Sequence, residues 1–107
     1  MITMGATDAN EPLHLVLVSS DQTFKPQQWQ QQNKVVILIN NGIHPGEPDG
    51  IDATMMLMRD LALGKIKTPK NTFIAAIPVY SVGGMLNRNS YSRANQNGPE
   101  AYGFRGN

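Results

Sequence analysis

The chain has 107 residues, 40% hydrophobic and 16% charged, with a formal net charge of +1 and no cysteine. That length and balance describe one folded domain, or part of a larger one, and not a disordered tail. They also exclude disulfides, iron–sulfur clusters and thiolate zinc sites, while the lack of any Lys/Arg stripe argues against nucleic acid or an acidic membrane as partner.

No apolar run approaches the roughly 20 residues needed to cross a bilayer. The start, Met1-Ile2-Thr3-Met4-Gly5, lacks the basic and apolar regions of a signal peptide, so an exported parent would carry its signal upstream. Export of that parent, to periplasm or outside the cell, is the expectation, although composition leaves the compartment open.

Residues 13–19, Leu-His-Leu-Val-Leu-Val-Ser, are β-branched and leucine-rich behind Pro12 and read as a strand. Residues 20–34 are polar and glutamine-dense; they read as a solvated connection in which Trp29 covers some edge of the core. Residues 35–40, Val-Val-Ile-Leu-Ile-Asn, form a continuous apolar run of the kind found in a central strand buried on both faces.

Residues 48–63 read as a helix. Ile51, Met55, Met58 and Ala62 recur at helical spacing, Leu57 and Leu61 widen that stripe, and Asp52, Arg59 and Asp60 oppose it. Asp49 and Asp52 suit the positive end of the dipole, and Gly64 can end the helix. The methionines read as core filler.

Residues 72–80 read as a third strand, with Pro78 near its end. Strand, helix and strand at this spacing make one βαβ unit, so the last two strands should run parallel with a right-handed crossover. From Ser81 onward glycine, asparagine, serine and arginine dominate and no regular element is expected.

The chemistry-bearing segment is Asn40-Asn41-Gly42-Ile43-His44-Pro45-Gly46-Glu47-Pro48. It leaves the carboxyl end of an apolar strand, where open α/β sheets bind ligands. His44 and Glu47 are three apart with a Pro-Gly pair between them, and imidazole nitrogen and carboxylate oxygen both bind Zn²⁺ at about 2 Å.

With two His in 107 residues, an H-x-x-E arises by chance in about 6% of such chains; the spacing is weak alone and gains from its place between strand and helix. The alternative is a His44 bonded to a loop carbonyl and a Glu47 capping the helix. A catalytic zinc site takes three protein ligands plus water, so a third must come from elsewhere. His14, inside the first strand, reads as a strand-face residue, and Glu11 and Glu100 as surface groups.

The block from Val35 to Asp60, with its loop Asn41-Gly42-Ile43-His44-Pro45-Gly46-Glu47, and the later Tyr91-Ser92-Arg93-Ala94-Asn95-Gln96-Asn97-Gly98-Pro99-Glu100 resemble the zinc carboxypeptidase family, the carboxypeptidase A-like metallopeptidases. The likeness is closest to its bacterial branch. It runs from about Pro12 to the last residue, with residues 1–107 as the N-terminal portion of the family's catalytic domain.

The resemblance implies a partial doubly wound mixed α/β sheet of the phosphorylase/hydrolase-like type. It implies Zn²⁺ as cofactor with His44 and Glu47 as ligands, and Arg93 as the arginine that stabilises the oxyanion. Arg88 and Arg105 compete for that last role. The substrate would be a peptide cleaved at its C-terminal bond. The third zinc ligand, the carboxylate-binding asparagine–arginine pair and the general-base glutamate are expected beyond Asn107.

The chain departs from the family at Ser81-Val82-Gly83-Gly84, where an Asn-Pro-Asp-Gly-like turn is usual. Two other readings therefore stand beside the peptidase: a zinc deacylase of N-acyl amino acids similar to the aspartoacylase and succinylglutamate desuccinylase group, and a degenerate, non-catalytic member. Lacking one ligand and the base, the chain alone is expected to be inactive; three strands and one helix would leave apolar faces bare, so low stability or self-association is expected as well.

Overall fold

The computed structural model describes residues 1–22 and 24–87. They form a small α/β domain with a four-stranded mixed sheet and three helices. In chain order the elements are β1 (Ile2–Ala6), β2 (Pro12–Ser19), α1 (Pro26–Gln31), β3 (Val35–Asn40), α2 (Asp49–Ala62), β4 (Thr72–Ile77) and α3 (Val82–Leu86). The sheet order is β1-β2-β4-β3. β2 is antiparallel to both β1 and β4, and β3 runs parallel to β4 with Ile37 opposite Ile74. β3, α2 and β4 thus make the expected βαβ unit.

The centre of the sheet is not the expected strand. β4 is interior: Phe73, Ile74, Ala75 and Ala76 are consecutive and all buried, so both of its faces are covered. β3 is instead an edge strand, and Val35, Val36, Ile37 and Leu38 are exposed, Leu38 at 62%. An apolar run says that a strand needs cover on both faces; it does not say that cover is present.

The core gathers on Phe73, whose exposure is 0%. Trp29 stacks on its ring at 3.7 Å between centroids, and Phe24 meets it edge-on at 6.3 Å. The glutamine-rich connection is therefore a short helix, begun by Pro26 at its first position, and it presents Trp29 to the core as expected. At the start of β3 the buried Lys34 ammonium bonds Asp21 at 2.5 Å and the Ser19 hydroxyl at 3.1 Å, tying the end of β2 to the beginning of β3.

α2 lies within the expected span, with Asp49 and Asp52 in its first turn. It ends on Gly64, at φ +69: the Lys65 amide reaches the Asp60 carbonyl and the Gly64 amide that of Leu61, which satisfies the last carbonyls. The buried stripe, however, is Ile51, Thr54 and Leu61, and Met55 and Met56 face outward. The helix is thus rotated from the face that hydrophobic spacing alone selects, and Thr54 on the buried face makes a bond described below.

β1 and α3 were not expected. β1 is a fully exposed strand held by pairing to β2, with Thr3 opposite His14. α3 forms despite Gly83 and Gly84, which are poor helix residues. The Asp8 carboxylate lies where a Cβ on Gly83 would be, so a side chain at this position would require Asp8 of the β1–β2 turn to move aside.

Candidate functional site

The His44–Glu47 loop starts where the parallel ladder stops. The Asn41 amide still donates to the Ile77 carbonyl, and the Tyr80 and Ser81 amides donate to the carbonyls of Asn41 and Gly42, at 2.8–2.9 Å. The first two loop residues are thereby stitched to the segment after β4. The chain then reverses at Pro45-Gly46. Proline presets the second position of a type II turn, and Gly46 has φ +81, the value that the third position requires. Pro45 is buried while His44 and Glu47 on either side are exposed, so the ring anchors the turn and both functional side chains look outward.

Residues at the two ends of a β-turn lie within about 7 Å at Cα, and here the side chains converge. His44 Nδ1 is 3.3 Å from Glu47 Oε2, with side-chain exposures of 62% and 49%. Two ligands at about 2.0–2.1 Å from a tetrahedral Zn²⁺ are separated by about 3.3–3.4 Å. The pair therefore stands at the spacing of one edge of a zinc tetrahedron. The donor chemistry, spacing and accessibility fit two of the three protein ligands. Among the described residues no cluster of three His, Cys, Asp or Glu side chains is assembled.

Arg93, the arginine expected at the oxyanion, lies outside the described residues, as do its competitors Arg88 and Arg105 and also Glu100. His14 is a strand residue of β2, as expected, and its Nδ1 is buried without a hydrogen-bond partner among the described residues. It lines a separate cavity of about 440 Å³ walled by Pro12, Pro78, Val79, Val82 and Met85. That cavity includes neither His44 nor Glu47. The Ser81-Val82-Gly83-Gly84 segment is the N-cap and first turn of α3.

Sequence reasoning missed Asn41. Its Nδ2 donates to Thr54 Oγ1 at 2.6 Å, and an ideal Cβ on Gly50 would fall 2.5 Å from its Oδ1. A polar residue at a helical position that should face the core was the one available signal. No protein-family model matches this chain, and neither a curated protein nor a solved structure matches it.

Proposed function

We infer that the chain is the metal-holding N-terminal portion of a zinc-dependent metallocarboxypeptidase, with His44 and Glu47 as two of its zinc ligands. The observation that carries this reading is the 3.3 Å approach of His44 Nδ1 to Glu47 Oε2 across a Pro-Gly turn at the carboxyl end of a parallel strand. A Zn²⁺ held there supplies Lewis-acid polarisation of a carbonyl and a bound water of lowered pKa.

The chain's own residues bind and orient. The ladder bonds of Asn41 and Gly42 fix the base of the loop, Pro45 and Gly46 turn it, and the two donors are presented to solvent in one direction. Arg93 is assigned the role of meeting negative charge on the substrate oxygen, a contribution worth about 3–4 kcal/mol for one such donor. The substrate class is a peptide with a free C-terminus.

The reading places the third ligand and the general base in a longer parent, of which the mixed sheet described here would be one flank of a doubly wound sheet. The exposed apolar β3 supports this, since such a strand is ordinarily covered on both faces. The 107-residue chain is accordingly expected to bind zinc weakly and to leave peptides intact.

The test uses the parent on two panels, peptides with free C-termini and N-acyl amino acids, with His44→Ala beside the wild type. Release of C-terminal residues that vanishes together with the zinc content in His44→Ala is the expected result. Preference for N-acyl amino acids would transfer the site to the deacylase class. Zinc content unaffected by His44→Ala would remove the metal assignment altogether.

A further inference from the structure

We propose that Asn41 is a positioning residue: it clamps the two ends of the loop that bears His44 and Glu47 by bonding the buried Thr54 of α2. The inference rests on the metal reading above, because it assigns a reason for holding this loop in one shape.

Three observations converge. First, Thr54 is 5% exposed and is the buried polar side chain among the described residues, at a helical position where an apolar residue would pack without cost. A buried hydroxyl persists where it has a partner, and here the partner is the Asn41 amide at 2.6 Å. Second, Gly50 lies in the first turn of α2, and an ideal Cβ there would stand 2.5 Å from Asn41 Oδ1 and 3.3 Å from its Cγ. Glycine is unfavourable in a helix by up to about 1 kcal/mol relative to alanine, and a side chain here would force the Asn41 amide out of its place.

Third, the Asn41 backbone is itself fixed. Its amide donates to Ile77 and its carbonyl accepts from Tyr80, so the side chain is anchored on the end of the sheet. A rigid point on the sheet thus grips the first and second turns of the helix, and residues 42–49 are strung between them. The separation of His44 from Glu47 is set by a loop whose two ends cannot drift apart. Partners that orient metal ligands from behind typically change metal affinity by about 10- to 100-fold when removed.

The experiment compares Thr54→Val, which keeps the shape and removes the acceptor, with Thr54→Ser, which keeps the acceptor. Both are made in the 107-residue chain. Zn²⁺ is titrated while the His44 imidazole resonances are followed by NMR, amide exchange is measured for residues 42–49 without metal, and Trp29 fluorescence reports the fold. Thr54→Val is expected to weaken Zn²⁺ binding at His44 about tenfold and to speed loop exchange at least about fivefold, with the Trp29 signal unchanged. Thr54→Ser should stay within about twofold of wild type in both.

Should Thr54→Val fail to fold, Gly50→Ala takes its place, because it evicts Asn41 while favouring the helix. Wild-type affinity and exchange in the variant would overturn the positioning role alone. A wild-type chain whose His44 resonances ignore Zn²⁺ would overturn the metal reading, and this inference with it.

Discussion

Replacing Gly46 by Ala isolates the turn that brings the two candidate ligands together. Gly46 has φ +81, and an L-residue held there costs about 1–2 kcal/mol. The variant has two ways to respond. It can keep the turn and carry the strain, in which case the folded state loses about 1–2 kcal/mol. Alternatively the turn relaxes, stability is unchanged, and His44 Nδ1 and Glu47 Oε2 leave their 3.3 Å spacing. Binding zinc must then restore the strained turn, and 1.4 kcal/mol corresponds to tenfold, so affinity falls by about 5- to 30-fold. The loss in stability and the loss in binding energy should therefore sum to at least about 1 kcal/mol, however they divide. The measurements are urea unfolding followed by Trp29 fluorescence and Zn²⁺ titration of the same sample. Gly46→Asn, which tolerates positive φ better, should lose less by both. If Gly46→Ala matches wild type in both measurements, the turn does not set the geometry of the pair.

Other outcomes follow from the packing. Phe73 is fully buried beneath Trp29 and Phe24, so Phe73→Ala should cost about 3–5 kcal/mol and shift Trp29 emission to the red. A loss under about 1 kcal/mol would show that this cluster is not the core. β3 presents an apolar edge: the amides of Val35 and Asn41 point at β4, so by alternation Val36, Leu38 and Asn40 turn their backbone groups to the open side, where no described strand pairs. Sedimentation should therefore show concentration-dependent dimers that Leu38→Lys disperses; a monomer at every concentration would remove that expectation.

The convergence of His44 and Glu47 was legible because its parts are local. His44 and Glu47 are three residues apart, and the Pro-Gly pair between them dictates a reversal, so sequence alone carries most of the information about their convergence. Asn41 was not legible, since its meaning lies in a contact thirteen residues away on another element. The same reason hid the orientation of α2. Hydrophobic spacing favoured a face with Met55, whereas the observed helix buries Thr54, bonded to Asn41, and exposes Met55. α3 was invisible because Gly83 and Gly84 lower helix propensity, and the Asp8 contact that accepts them comes from the first hairpin.

By itself the sequence determined the existence and near-limits of β2, β3, α2 and β4, the parallel βαβ relation of the last three, and a histidine and glutamate at the head of that unit. These follow from periodicity, helix-end residues and turn chemistry, all properties of neighbours along the chain. Only the tertiary structure decided that β4 and not β3 is central, that β1 completes the sheet, and that Asn41 bonds Thr54. Each depends on which distant groups compete for the same face, edge or buried donor, and two apolar runs of equal length carry no record of that competition.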